Sequence, residues 1–199
     1  MVTTRVLVVC TGNICRSPMA AALLHGRLQT LGVEADVASA GLLYAGRPAS
    51  EGAIAAMAKR GLDIAAHGSR VISRSMVAAA DLVIAMEPRH VREVVARHDH
   101  AWEYSFTLLE LLQRCAAVTT GARSADESMQ EWLRRAAIGR RRVELLSDDE
   151  TLAILDPYKQ DQLIYDATAA DLDRWIGELV AVAWPASTIP RAERHIRIA

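Results

Sequence analysis

Apolar residues in this chain come in short runs, separated by longer amphipathic stretches. Residues 5–9 and 81–86 contain continuous apolar runs with β-branched members, which is typical of strands buried on both faces. The predicted strands are residues 5–9, 34–39, 81–86 and, as a short one, 101–105. The predicted helices between them are residues 18–31, opened by Pro18 and ended at Gly32, then 49–60 and 88–97. This alternation predicts an α/β fold with a parallel sheet and helices on both faces.

Residues 108–142 interrupt the alternation. A leucine-rich stretch from Leu108 and a second stretch at 127–137 predict two helices, separated at Gly121 and Ser124. The segment is too short to hold a core of its own, so we expect a helical insertion within a single domain of residues 1–199. An amphipathic helix is predicted at 169–184, and a tail of little pattern at 185–199.

Composition excludes several classes of function. The chain has 23 basic and 24 acidic residues and a net charge of −1, so no basic field attracts nucleic acid. No apolar run could span a bilayer, and we expect a cytoplasmic protein. Three cysteines suggest neither a disulfide framework nor structural zinc. His90, His98 and His100 do not share a helix face, so no metal or other cofactor is predicted. The basic run 139–142 is interpreted as a solvated helix end.

The strongest chemical signal is the turn after the first strand, C-T-G-N-I-C-R-S-P at residues 10–18. A short loop that curls into a helix N-terminus directs successive backbone N–H groups at one point, where the helix dipole adds positive potential. Cys10 at the floor of this nest would be a thiolate nucleophile, and Arg16 would clamp two phosphoryl oxygens. Ser17 could donate a hydrogen bond to the sulfur. The predicted phosphate-binding residues are Thr11, Gly12, Asn13, Ile14, Cys15 and Arg16.

This segment resembles the phosphate loop of the low-molecular-weight protein tyrosine phosphatases, which also follows the first strand. The resemblance implies a doubly wound, flavodoxin-like, four-stranded parallel sheet. It implies Cys10 as nucleophile, Arg16 as phosphate clamp, Asn13 as the residue that holds the loop, and Ser17 as the hydroxyl on the thiolate. It also implies a redox role for Cys15, which in the family pairs reversibly with the nucleophile under oxidation.

The resemblance extends to residues 4–107 and 143–183. Ser39 and His67 match the family residues that support the loop asparagine, and Asp156-Pro157-Tyr158 resembles the general-acid loop. Tyr158 and, by a looser match, Tyr44 would line the substrate pocket. Two positions depart from the family pattern: Glu87 stands where the family usually has Asp, and Lys159 replaces its second tyrosine.

The expected reaction is hydrolysis of phosphotyrosine, in a protein or as a small aryl phosphate, with inorganic phosphate as product. Cys10 would attack phosphorus while Asp156 protonates the leaving oxygen, and Asp156 would then activate water against the phosphocysteine. Two alternatives stay open. One is a thiol-dependent arsenate reductase on the same scaffold, because arsenate mimics phosphate. The other, ranked last, is a non-catalytic phosphate-binding module.

Overall fold

The computed structural model describes residues 3–117, 120–147 and 149–186. The strands are β1 (Thr4–Cys10), β2 (Ala35–Gly41), β3 (Leu82–Ala85) and β4 (Ser105–Thr107). The helices are α1 (Arg16–Thr30), α2 (Glu51–Ala58), α3 (Arg74–Ala79), α4 (Pro88–Arg97), α5 (Leu108–Ala116), α6 (Met129–Ala136) and α7 (Gln162–Ala183). All strand pairs are parallel, in the order β2-β1-β3-β4. This is the predicted doubly wound sheet.

The alternation of side chains along β1 divides the core into two layers. Val6 and Val8 pack with α1, α2, α5, α6 and α7 on one face of the sheet. Leu7 and Val9 pack with α3 and α4 on the other. A strand covered on both faces must be apolar at every position, which explains the continuous run in the sequence. The prediction of helices on both faces is confirmed.

The strand order places a crevice at the carboxyl end of β1. The chain passes from β1 to β2 on one side of it and later crosses to β3 on the other side. Open α/β sheets bind their ligands where the winding reverses in this way, because the loops there diverge. The turn that begins at Cys10 lies at this point.

The fourth predicted strand is present, but it lies later in the chain than the predicted residues 101–105. A 3₁₀ helix spans Asp99–Glu103, and β4 begins only at Ser105. The Ala101 N–H donates to the His98 carbonyl at 2.9 Å, which closes a turn and turns Ala101 into the core. Ala101 is therefore buried by a turn of 3₁₀ helix. Its apolar side chain is equally compatible with a buried strand, so the sequence did not distinguish the two.

Other element boundaries differ from the predictions. Helix α1 begins at Arg16, so Pro18 lies in its first turn and does not open it. Helix α7 begins at Gln162, earlier than the predicted 169. The prediction lacked α3 altogether, although Ser73 caps it by accepting a hydrogen bond from the Met76 N–H at 3.2 Å.

The two helices predicted in the insertion are present as α5 and α6. Leu111 and Trp132 are buried in the same core layer as α7. The Trp132 indole N–H donates to the Gly121 carbonyl at 3.2 Å, which ties α6 to the connecting segment. The single-domain assignment of 1–199 remains a prediction, and the predicted tail lies outside the described residues from 187 onward. No helix in the described part of the chain combines the length and the apolar character that crossing a membrane requires.

Arg140 contradicts the interpretation of 139–142 as a solvated helix end. Its side chain is 1% exposed and pairs with Glu110 at 2.7 Å. Its guanidinium lies between the rings of Trp102 and Phe106, with the carbon 3.8 and 4.0 Å from their centroids. An arginine can be buried in a core when its guanidinium stacks on aromatic rings and its N–H groups donate to acceptors. A run of basic residues in the sequence does not show whether such partners are present.

Candidate active site

Cys10 is the last residue of β1, and its side chain forms the floor of a small cavity. The Sγ atom lies 3.0 Å from the Ser17 hydroxyl and accepts the Asn13 N–H at 3.2 Å. The residue is 2% exposed, but it lines a cavity of about 70 Å³ together with Arg16 and Asp156. The structure therefore brings together the three residues that the sequence singled out for the chemistry.

The carbonyl groups of the loop are directed away from the cavity. The Thr11 carbonyl accepts from the Leu42 N–H at 2.7 Å, and the Ile14 carbonyl accepts from the Ser50 N–H at 2.8 Å. The His67 Nε2 atom lies 2.7 Å from the Asn13 carbonyl and must donate to it. In a trans peptide the next N–H points opposite to the carbonyl. The N–H groups that follow these carbonyls therefore point away from those partners, as they would in a nest that binds an anion on the cavity side of the loop.

Asn13 braces the loop from behind. Its φ is +54°, and it is fully buried. The side-chain NH₂ donates to Ser17 Oγ at 2.9 Å and to Ser39 Oγ at 2.8 Å, while its oxygen accepts the Arg70 N–H at 2.8 Å. A Cβ on Gly41 would lie only 2.7 Å from the Asn13 nitrogen. Glycine at the end of β2 thus lets the loop pack directly on the neighbouring strand.

Arg16 is buried, with its side chain only 2% exposed, and hydrogen bonds hold it in place. Its Nη1 donates to the Ile154 carbonyl at 2.9 Å and to the Glu87 carboxylate. Its Nη2 donates to the Asp156 carboxylate at 2.6 Å. A buried guanidinium with several acceptors keeps its charge and its orientation, so the fork is preorganised beside the Cys10 sulfur.

Glu87 and the residues that follow it form a network that the sequence analysis missed. Burial would raise the pKa of Glu87, but hydrogen bonds from Arg89 and Arg16 lower it to about 2. Arg89 also donates to the Thr11 hydroxyl at 2.8 Å. His90, fully buried, lies 3.0 Å from the same hydroxyl, and burial lowers the pKa of its imidazole to about 3. The sequence signal that could have identified this network is the segment Glu-Pro-Arg-His at residues 87–90, which follows β3 at the carboxyl edge of the sheet.

The loop with Asp156 is anchored next to the phosphate loop. The Ile154 N–H donates to the Met86 carbonyl at 2.8 Å, just beyond β3. The Asp156 side chain accepts the Tyr158 N–H at 3.2 Å and is 41% exposed. The carboxylate thus lies at the mouth of the cavity, where it can reach both solvent and a leaving group.

The walls of the cavity are apolar. Ile14, Leu43, Tyr44 and Tyr158 line it. The ring of Tyr44 lies about 3.4 Å from the position of a Cβ on Gly12, so it rests against the phosphate loop itself. The volume of about 70 Å³ suits a single small anion, with two tyrosine rings beside its entrance.

Cys15 lies beside hydroxyl groups. Its Sγ is 3.1 Å from Ser50 Oγ and 3.7 Å from the Tyr165 hydroxyl, and burial raises the pKa of its thiol. Cys10, Cys15 and Cys115 are all free thiols. The redox role of Cys15 remains a prediction. Among the described residues, no group of three or more His, Cys, Asp or Glu side chains could hold a metal ion.

A thiol beneath a nest of N–H groups, closed by a buried arginine at the switch point of a doubly wound sheet, is the arrangement of an α/β phosphate-binding enzyme. The chain belongs to the low molecular weight phosphotyrosine protein phosphatase family, whose model matches residues 5–119. It is therefore an enzyme that hydrolyses phosphoric monoesters. The loop with Asp156 lies beyond the matched segment, on the far side of the insertion.

Individual relatives agree with the family match. The chain is 44% identical over 108 residues to a probable low molecular weight protein-tyrosine-phosphatase, EpsP, of Ralstonia solanacearum, covering 54% of this chain and 72% of the relative. It is 42% identical over 109 residues to a protein-arginine-phosphatase of Geobacillus stearothermophilus, covering 54% and 71%. The solved structure of a low molecular weight protein tyrosine phosphatase from T. tengcongensis superimposes with a TM-score of 0.67 at 28% identity, covering 89% of this chain and 98% of that one.

Proposed function

We propose that the protein hydrolyses phosphotyrosine and related aryl phosphate monoesters, in proteins or small molecules, through a phosphocysteine intermediate. The observation that carries this proposal is the single cavity that holds the Cys10 sulfur, the Arg16 guanidinium and the Asp156 carboxylate between two tyrosine rings. The nest and the arginine neutralise the phosphoryl oxygens, and the apolar walls receive an aromatic ring.

The first step forms a bond between sulfur and phosphorus. The Cys10 thiolate attacks phosphorus, the ester P–O bond breaks, and the Asp156 carboxyl gives its proton to the departing phenol oxygen. Ser17 donates to the sulfur from 3.0 Å, which stabilises the thiolate before attack and again when it leaves. Asn13 holds Ser17 in place through its amide.

The second step regenerates the enzyme. Water attacks the phosphocysteine, the S–P bond breaks, and the Asp156 carboxylate takes the water proton, so that inorganic phosphate leaves. Arg16 keeps its orientation during both steps because the Glu87 carboxylate and the Ile154 carbonyl hold its Nη1 atom. The guanidinium therefore stays beside the phosphoryl oxygens.

A p-nitrophenyl phosphate assay tests the proposal. We expect turnover by the wild type, loss of at least about a thousandfold in kcat for Cys10→Ser, and near wild-type kcat for the matched control Cys115→Ser, which lies in the core away from the cavity. Phosphate binding without turnover would favour the non-catalytic module, and arsenate reduction with added thiols would favour the reductase.

Asp156→Ala distinguishes a general acid from a structural residue. General acids contribute about 10²–10⁴-fold, and the need for a proton grows as the leaving group becomes poorer. We therefore expect a larger loss with phenyl phosphate than with p-nitrophenyl phosphate. An equal loss with both substrates would contradict the acid role and leave Asp156 as a partner of Arg16 alone.

The similarity to a protein-arginine-phosphatase raises phosphoarginine as a second substrate. That side chain carries a polar guanidino group next to phosphorus, and a cavity for it would need a free acceptor in the wall. Here Ile14, Leu43 and the rings of the two tyrosines line the wall, and the one carboxylate among the lining residues, Asp156, is the proposed proton donor to the leaving oxygen. We expect kcat/KM to favour phosphotyrosine, and a preference for phosphoarginine would reverse this assignment.

A further inference from the structure

Two exposed cations each lie over the ring of a tyrosine that lines the cavity. The Arg47 guanidinium carbon lies 4.0 Å from the ring centroid of Tyr44. The Lys159 Nζ atom lies 5.4 Å from the ring centroid of Tyr158. Because both tyrosines line the cavity, any group that emerges from it passes beside these two charges.

Neither cation is neutralised by an acidic side chain within residues 3–117, 120–147 and 149–186. The two carboxylates nearest the anion are already occupied, since Asp156 pairs with Arg16 and Glu87 pairs with Arg16 and Arg89. The positive charges of Arg47 and Lys159 are therefore available to attract an anionic group near the cavity.

The backbone fixes the position of Lys159. Its φ is +64°, in the left-handed region, within a turn in which Gln160 N–H donates to the Pro157 carbonyl at 2.9 Å. This turn is continuous with the anchored Asp156 loop, so the lysine is held at a set distance from the acid. Its place in the sequence is the one where the family's second tyrosine would stand.

We propose that Arg47 and Lys159 make the enzyme selective for phosphotyrosine flanked by aspartate or glutamate. The inference rests on the proposed function and extends it to the peptide around the phosphotyrosine. When the phosphotyrosine ring lies between Tyr44 and Tyr158, the peptide backbone leaves at the mouth. Residues one or two positions away lie roughly 3–7 Å further along an extended chain, within reach of both cations. A carboxylate there meets the guanidinium over Tyr44 and the ammonium over Tyr158, neither of which forms an ion pair with an acidic residue in the described part of the chain.

The test compares kcat/KM for three peptides that differ only beside the phosphotyrosine, with flanking glutamate, glutamine or lysine. For the wild type at low ionic strength we expect the order Glu, Gln, Lys, with about 1.4- to 5-fold between successive peptides, as exposed ion pairs provide. The preference should arise mainly in KM and should shrink as salt is added, because exposed charges are screened.

The Arg47→Gln/Lys159→Asn double variant removes both charges, and asparagine tolerates the left-handed conformation at 159. We expect its kcat/KM ratio between the Glu and Lys peptides to fall to nearly one. Arg47→Glu should shift the preference towards the lysine peptide. The matched control Arg134→Gln removes one exposed cation from α6, where it lines a different cavity, and should keep the wild-type ratio.

The two proposals fail in different ways. Equal rates on all three peptides in the wild type, or a preference that survives the double variant, would overturn the selectivity proposal while turnover of p-nitrophenyl phosphate still supports the phosphatase. Absence of turnover on every aryl phosphate would overturn the proposed function, and the selectivity proposal with it.

Discussion

Replacing Asn13 with alanine removes the residue that shapes the phosphate loop. The substitution eliminates the two hydrogen bonds that the amide donates to Ser17 and Ser39 and the one that it accepts from the Arg70 N–H. It also forces a residue with a Cβ to hold a φ of +54° without the polar side chain that makes asparagine tolerant of this region. Because the site is fully buried, water cannot replace the lost partners.

The magnitude follows from these contacts. Three hydrogen bonds at about 0.5–1.5 kcal/mol each give roughly 1.5–4.5 kcal/mol, and the left-handed backbone adds about 1–2 kcal/mol. We therefore expect Asn13→Ala to lower the free energy of unfolding by about 2.5–6.5 kcal/mol. Asn13→Gly loses the same hydrogen bonds without the backbone penalty. The glycine variant should be the more stable of the two by about 1 kcal/mol, the reverse of the usual order.

Urea denaturation of both variants, followed by circular dichroism, measures these differences. The kcat on p-nitrophenyl phosphate should fall in both variants, because Ser17 loses the donor that holds its hydroxyl near the Cys10 sulfur. An alanine variant as stable as the glycine variant would refute the left-handed conformation at 13. If both variants lost less than about 1 kcal/mol of unfolding free energy, the hydrogen bonds of Asn13 would not be what holds the loop in shape.

Three further predictions concern other parts of the molecule. Gly41→Ala should lower stability and kcat together, because its Cβ would lie 2.7 Å from the Asn13 nitrogen; unchanged denaturation and kinetics would contradict the close packing. Below about pH 6.5 the folded protein keeps His90 neutral, whereas the unfolded chain takes up a proton there. The free energy of unfolding should therefore fall by up to about 1.4 kcal/mol per pH unit from pH 6.5 to pH 5. The His90→Asn variant should lack this slope when urea titrations are repeated at several pH values. Arg140→Met should cost about 1–3 kcal/mol, because it leaves the Trp102 and Ser105 carbonyls without their donor and leaves Glu110 with its pairing to Arg114, and Arg140→Lys should recover part of this loss; a neutral Arg140→Met would show that these contacts are dispensable.

The sign for His90 follows from the direction of its shift. Burial lowers the pKa of the folded imidazole to about 3, whereas the unfolded side chain titrates near the ordinary value of about 6.5. Between these values the unfolded state binds the extra proton, so stability is fully present above pH 6.5 and is lost as pH falls through the window. A wild type with a flat stability profile between pH 6.5 and 5 would contradict the buried neutral histidine.

Local sequence predicted correctly that the turn from Cys10 to Arg16 lies between a strand and a helix. The turn from Cys10 to Arg16 is short, and its neighbours along the chain already specify a strand before it and a helix after it, so its geometry is a local matter. The buried strands could also be predicted, because a strand covered on both faces has a continuous run of apolar residues. The alternation of strands and helices predicted a parallel sheet covered on both faces, and the doubly wound arrangement, whose order here is β2-β1-β3-β4, was implied by the resemblance to the phosphatase family.

The residues that the sequence analysis missed act across long separations. Glu87 reaches Arg16 from 71 positions away, and the Ile154 carbonyl reaches it from 138 positions away. Nothing in the local pattern distinguishes such an acid from a surface residue, or one backbone carbonyl from another. Arg140 was misassigned for the same reason, since its aromatic and acidic partners come from a different part of the chain. The cation pair at the mouth likewise became visible only once Tyr44 and Tyr158 lay around one cavity.

The most direct test of the account is to trap the phosphoryl group on its acceptor. The Asp156→Ala variant should form the intermediate and hydrolyse it slowly, since it lacks the base that activates water. After mixing with p-nitrophenyl phosphate and rapid quenching, phosphorus NMR should show a thiophosphate signal, and peptide mass spectrometry should locate the phosphoryl group on Cys10. Turnover with Cys10 unmodified, or a phosphoryl group found on any other residue, would contradict the central claim.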